Sequence, residues 1–431
     1  MLSYRKLAMR VLGRPLHTGG GNDSPRPASQ RAAALVLTAA MLTALTAPAF
    51  AETWDIEKGD ITVKAGDTEG TNKVSQGTII DRVDTNTIIT NSDKDTASSN
   101  TVTIEAKDKD DKVEVTLKDV NIDTSSRGEA AVSVTGKGDT NIELDGDNEL
   151  QSGSGHAGLE HNKTDTSGEL TIQDNDKNGS LAATAGAGSA GIGGSYGHDG
   201  EVTISGGTID ATSNNGGAGI GGGGNRYYSK GGSASNITIS GDNTHVTATG
   251  GYDGAGIGGG AGGGANGGAG SVSNVTISGG TVVATGKGSA AGIGGGADLN
   301  GIEGGSATDI AISGGNVTAI GGKGSDSQSG GAGIGGGTDI FGYGCGGVGS
   351  NITISGGTVN AVGGRNSAGI GGGDGAGCSG ITISGGTVTA SSAAGAAGIG
   401  GGGRGGAGGG PRLFALAAGE GLPLGRRVDI L

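Results

Sequence analysis

The chain has 431 residues, a formal net charge of −14 and 103 glycines. The acidic balance excludes a nucleic-acid partner, for which a basic surface supplies most of the affinity. Glycine at this level would by composition alone describe a disordered polymer, and only a fixed register of the glycines argues otherwise.

The first thirty or so residues are basic and irregular, with Arg5, Lys6, Arg10, Arg14, Arg26 and Arg31 beside Pro15 and Pro25. An alanine-rich apolar run, Ala32 to Ala47, then leads to Ala49-Phe50-Ala51, the small-x-small pattern that precedes signal cleavage. Residues 1–51 therefore read as a signal peptide with a long basic leader, cut before Glu52. Either a later start at Met9 or a long-leader type accounts for the extra length. The expected mature protein is secreted, extracellular or at the cell surface, and keeps no integral membrane segment.

Residues 52–100 read as an N-terminal capping segment. Trp54, the only tryptophan, opens it, and a large ring at the end of a stacked core is expected to close that end. Short strand-like runs follow at Asp60-Ile61-Thr62-Val63, Thr78-Ile79-Ile80 and Thr87-Ile88-Ile89.

From Thr101 a single phrase repeats, first in a charged form: Val115-Thr116-Leu117-Lys118-Asp119-Val120-Asn121-Ile122, then Asn141 to Leu150 with Ala157-Gly158-Leu159, then Leu170-Thr171-Ile172 with Ala190-Gly191-Ile192. Its cleanest form is Asn351-Ile352-Thr353-Ile354-Ser355-Gly356-Gly357-Thr358-Val359-Asn360-Ala361, followed by Ser367-Ala368-Gly369-Ile370-Gly371-Gly372-Gly373. The same apolar position returns at Ile204, Ile239, Ile277, Ile312, Ile354 and Ile383, a period in the solenoid range. Apolar residues alternate with Thr, Ser or Gly, so the period is two and helix is excluded. Ile352 with Ile354, Val359 with Ala361, and Ala368 with Ile370 are three inward pairs per repeat, cornered by glycine. The predicted fold is all-β: a right-handed parallel β-helix over residues 101–403, with three short strands per coil and about nine coils, a rod of roughly 40–45 Å. Residues 404–431 depart from the phrase and read as an irregular tail. Either a short apolar helix that caps the rod or the product of a truncated reading frame accounts for it.

Five sets of residues bear on chemistry. The outward positions Thr203, Thr238, Thr276, Ala311, Thr353 and Thr382 hold no acid or base, which is what a solvent-facing sheet prefers. Asp119, Asp145, Asp147, Asp174 and Asp176 fall at one corner of the early coils, where stacked carboxylates suit a hard cation such as Ca²⁺ or form a solvated acidic edge. Tyr196, Tyr227, Tyr228, Phe341 and Tyr343 follow the Gly-Gly phrase of different coils, so one edge of the rod would present rings to an extended carbohydrate, or the rings fold longer loops onto the coil beneath. Cys345 and Cys378 lie after such phrases on neighbouring coils and are expected to pair as a disulfide. His156, His161, His198 and His245 are scattered and read as structural.

Val115 to Ile122, Asn141 to Asn148, His156-Ala157-Gly158-Leu159-Glu160, and the Ile-Ser-Gly-Gly-Thr-Val and Ala-Gly-Ile-Gly-Gly-Gly series together resemble the right-handed β-helix carbohydrate-binding proteins of Gram-positive gut and cellulolytic bacteria. The resemblance covers roughly residues 101–403. It implies a secreted or surface protein that binds acidic or plant-type polysaccharide, in some members with calcium. The expected activity is non-catalytic polysaccharide binding by a monomer. A structural stalk or adhesin is the alternative. A polysaccharide lyase or glycoside hydrolase would need a catalytic cluster that the sequence does not display.

Overall fold

A computed structural model describes residues 52–225, 230–263, 267–325, 328–341 and 345–404, with the backbone of Phe414–Ala417. The cysteine-bearing and glycine-rich repeats form a parallel β-helix whose cross-section has three faces. One repeat shows how. Gly349–Ile354 lies on the first face, Thr358–Arg365 on the second, and the two-residue strand Ile370–Gly371 on the third. The third strand is short because Gly371 turns at once into a backbone conformation with φ 136°, which L side chains rarely adopt.

Like residues stack on like. The first face carries the inward row Val115, Ile142, Ile172, Ile204, Ile239, Ile277, Ile312, Ile354 and Ile383. The second face carries Leu150, Ala183, Ala211, Ala248, Ala284, Ala319, Ala361 and Ala390. On the third, the row runs Ile61, Val102, Val132, Leu159, Ile192, Ile220, Ile257, Ile293, Ile334, Ile370 and Ile399. Almost all of these side chains are fully buried, and each buried Ile, Val or Leu contributes roughly 1.5–3 kcal/mol. Among the described residues the second face stacks nine parallel strands, from Asn121–Asp123 to Thr387–Ala394, which gives nine complete coils as the periodicity predicts.

The N-terminal segment belongs to the same compact unit, Ala51–Leu431, and adds its strands to two faces. Thr53–Asp55 pairs with Thr87–Thr90, which places Trp54 against Ile89 at the head of an inward row continued by Leu117 and Leu144. Trp54 is buried, and its indole N–H donates to Asp84 Oδ2 at 2.8 Å. Between these strands Ile61–Ala65 opens the third face, and the chain then leaves the coil: Asn72–Gln76 folds back antiparallel on Ile61–Ala65 and Ile79–Asp84 on Asn72–Gln76, a meander. At the other end Phe414–Ala417 is a strand, antiparallel to Thr387–Ala390, where the sequence gives an irregular tail or a helix. Arg404 apart, the rest of the tail lies outside the described residues, as does the leader. No described helix is long and apolar enough to cross a membrane.

Candidate functional site

The outward threonine row is present, with Thr203, Thr238, Thr276, Ala311, Thr353 and Thr382 in register. Toward the N-terminus the same row continues through Thr171 and Asn141 to Glu114, so the face changes chemistry along its length. Beside it run Thr116, Glu143 and Gln173. The meander stands next to these strands and turns a flat face into a groove of about 460 Å³. Asn72 fixes the wall, since its amide donates to Thr87 Oγ1 at 2.9 Å and to the Glu114 carbonyl at 2.7 Å. Glu69, Asn86, Lys112, Glu114, Asn141, Gln173 and Asn175 supply the lining. The sequence reading missed this groove. Alternation alone puts Asn141 and Glu143 outward, but the strand runs 72–76 and 79–84 contain too many polar residues to announce a wall.

The five aspartates do not form one set. Lys94 lies 3.6 Å from Asp119, Lys118 pairs with Asp145, and Ser180 Oγ donates to Asp147 at 2.9 Å. Asp174 and Asp176 instead meet Glu143, with one oxygen of each of the three within 4.8 Å of the others. Burial, reinforced by Asp176, pushes the Asp174 carboxyl above its ordinary range against the amides of Gly179, Asn178 and Lys177. These three oxygens are the ones that would hold a hard cation at this corner. Both oxygens of Glu143 also accept from Asn175, N and Nδ2, each at 2.6 Å.

Of the aromatic set, Tyr196 is half-buried. Its ring covers Gly188, where an added Cβ would lie 2.3 Å from Cδ2, and its hydroxyl donates to Asn225 Oδ1 at 3.0 Å. Phe341 is 55% exposed at the same edge of a later coil. Tyr227, Tyr228 and Tyr343 lie outside the described residues.

The four described histidines are all engaged. His156 Nδ1 lies 2.8 Å from Glu160 Oε2, and His198 Nδ1 lies 3.0 Å from Ser195 Oγ. The exposed ring of His245 bonds the Asn243 carbonyl. His161 is buried between the carbonyls of Val134 and Gly168, with Nε2 3.6 Å from Glu201 Oε1. Burial pushes the Glu201 carboxyl up, but His161 and Lys163 outweigh it and hold the acid below its ordinary range. A further ladder starts there. Asn236 Nδ2 donates to Glu201 Oε2, Asn274 to Asn236 and Asn351 to Asp309. Asn236, Asn274, Asp309 and Asn351 all have φ between 51° and 55°, the left-handed region that Asn and Asp tolerate best. The recurrence of Asn or Asp just before the first-face apolar-x-Ile triplet of four successive coils is the signal that could have found this turn.

The disulfide expectation is corrected: Cys345 and Cys378 are both free. Cys345 pairs across the coils with Glu303, whereas Cys378 stands in register with Gly349, four residues farther along. At about 3.3 Å per residue that offset exceeds the Cα separation a disulfide allows.

Six segments, residues 202–224, 237–261, 275–297, 310–338, 352–374 and 381–403, match the family model described as the beta helix repeat. No curated protein and no solved structure matches the chain. The matched segments coincide with the six cleanest coils. From 202 to 403 the chain is an array of beta helix repeats wound into a right-handed parallel β-helix.

Proposed function

We propose that the chain binds extended polysaccharide outside the cytoplasm without cleaving it, in the groove between the first face and the 61–84 meander. The observation that carries this reading is the groove's lining: amides from Asn86, Asn141, Gln173 and Asn175 with Glu69, Glu114 and Lys112, held open along three successive strands. Neutral amides with a few charges match the hydroxyls and occasional charge of a glycan, and a groove open along the rod admits a chain threaded past it. The stacking edge of Tyr196, Tyr227, Tyr228, Phe341 and Tyr343 is a second contact in this proposal. Ca²⁺ at Glu143, Asp174 and Asp176 would lock the groove's far corner. Ala49-Phe50-Ala51 supports export.

A glycan array probed with the purified chain tests the reading. Binding to one polysaccharide class, lost in the Asn141→Ala, Gln173→Ala double variant, supports it. No binding to any glycan favours a structural stalk instead.

The carboxylates of Glu69, Glu114 and Glu143 around one groove favour a second reading, hydrolysis or lysis of the bound chain. Glu143 argues against it, because the backbone N–H and the side-chain amide of Asn175 already occupy its two oxygens. Release of reducing or unsaturated ends from pectin or xylan would move the second reading ahead.

A further inference from the structure

A different corner of the helix holds two acids in a setting unlike the exposed edge described above. Asp298 N–H donates to the Thr338 carbonyl at 3.2 Å, and Ile340 N–H donates to the Asp298 carbonyl at 3.0 Å. These bonds bracket Asp339 and place it directly over Asp298, one coil rise of about 4.8 Å away. On the other side the N–H and carbonyl of Gly262 bracket Asp298 in the same manner, and Gly262 brings no side chain. Both aspartates are 0% exposed.

Asp298 Oδ2 accepts from the amides of Asn300 at 3.2 Å and Ile302 at 2.6 Å. Its other oxygen, Oδ1, is buried and receives no hydrogen bond. A buried carboxylate oxygen left without a donor costs about 1–3 kcal/mol, more when charged, and a second carboxylate on the next coil adds repulsion. Burial, with the Asp339 charge adding to it, pushes the Asp298 carboxyl above its ordinary range. Nothing comparable occurs at Asp374, a third buried acid, which is satisfied by Ser329 Oγ at 2.5 Å and Arg404 Nε at 3.2 Å.

We propose that Asp298 and Asp339 form a binding site for a hard divalent cation of the calcium class, held between two successive coils beneath the loop that presents Phe341. The donors are carboxylate oxygens, in a corner where the adjoining coil contributes Gly262 and no side chain. Calcium takes six to eight oxygens in irregular geometry, carbonyls among them, whereas magnesium demands a near-ideal octahedron. An ion there gives the orphaned Oδ1 a partner and cancels the repulsion between the stacked acids.

The position has a consequence for the neighbouring loops. The segments after Asp298 and Asp339 close at their far ends through the bridge between Glu303 and Cys345. Phe341 N–H donates to Asp339 Oδ1 at 3.0 Å, so the exposed ring is tied to one of the two ligands. Metal at the base holds the Asp339 carboxylate and, through it, the turn that carries Phe341.

The test is calcium titration of the purified full chain after chelation, by calorimetry and by thermal melting, with Asp298→Asn, Asp339→Asn and Asp174→Asn in parallel. Asn keeps an oxygen for the amides of Asn300 and Ile302, so the turn survives. The expected result is a calcium equivalent that binds about 10-fold or more weakly in either corner variant and unchanged in Asp174→Asn, with a calcium-dependent rise in melting midpoint lost only in the corner variants. Equal binding by Asp298→Asn overturns the proposal. So does a wild-type chain indifferent to calcium, and if Asp298→Asn then melts higher than wild type, the pair holds a proton instead. None of these readouts involves a glycan, so they stand apart from the polysaccharide reading.

Discussion

Lys163 Nζ lies 2.6 Å from Oε1 of Glu201, an acid whose side chain is only 5% exposed. His161 approaches the same oxygen, and Ser167 Oγ and Asn236 Nδ2 complete the shell. The ion pair closes the corner where the charged early coils give way to the glycine-rich ones. Because the folded carboxyl titrates below its unfolded value, its contribution is complete above the ordinary glutamate range and is lost as pH falls through the folded value. Glu201→Gln is expected to cost roughly 3 kcal/mol at pH 7, and much less near pH 3. Urea unfolding at the two pH values checks this, and an equal loss at both would remove the ion pair from the account.

Trp54 heads an inward row, and no further strand of the described residues pairs beyond it. Trp54→Ala is expected to lower stability by about 3–5 kcal/mol, as large-to-small changes in a core do. Asp84→Ala, which leaves the indole N–H buried without an acceptor, should cost about 1–3 kcal/mol. Thermal melts of the two variants give the order, and a neutral Trp54→Ala would mean the end of the stack does not need its lid.

Two glycines separate space from flexibility. Gly335 has φ 142°, and a Cβ there would lie 1.9 Å from the Gly371 carbonyl oxygen of the next coil; a Cβ on Gly377 meets nothing within 4 Å. Gly335→Ala should therefore cost about 4 kcal/mol or more, while Gly377→Ala stays within about 0.5 kcal/mol of wild type. Circular dichroism melts distinguish them, and similar midpoints for both would count against coil-to-coil contact at the third face.

Both thiols are free, but they differ in surroundings. Burial pushes the Cys378 thiol up, while Cys345 is exposed. Alkylation of the native chain should label Cys345 first and Cys378 more slowly, with mass spectrometry of the digest as the measurement. A peptide joining the two through sulfur would contradict the register described above.

The periodicity of Ile204, Ile239 and their successors was enough to define the fold, because a period of two within a longer repeat leaves one way to bury small side chains: stack them. The threonine row followed from the same alternation. The groove did not, since it depends on where the chain departs from the coil, and residues 66–84 depart by an antiparallel excursion that local composition hides. The corner acids show the limit more sharply. Asp145 and Asp174 fall at the same corner of successive coils, one register position apart, yet Lys118 neutralises one and Glu143 crowds the other. Which carboxylate meets which cation is decided by neighbours a full coil away, and pattern along the chain carries no such information. The same holds for Cys345 and Cys378, adjacent in coil number but offset in register.

Every row passes from one coil to the next without skipping any, as Ile257 passes to Ile293 and Ile293 to Ile334. Excising residues 257–292 would join Gly256 to Ile293 and leave each ladder unbroken, so the product should fold as a rod shorter by a single rung. The molecule is in that sense a ruler: its reach is set by how many copies of the phrase are inserted, and duplication in a genome can lengthen it without redesigning either end.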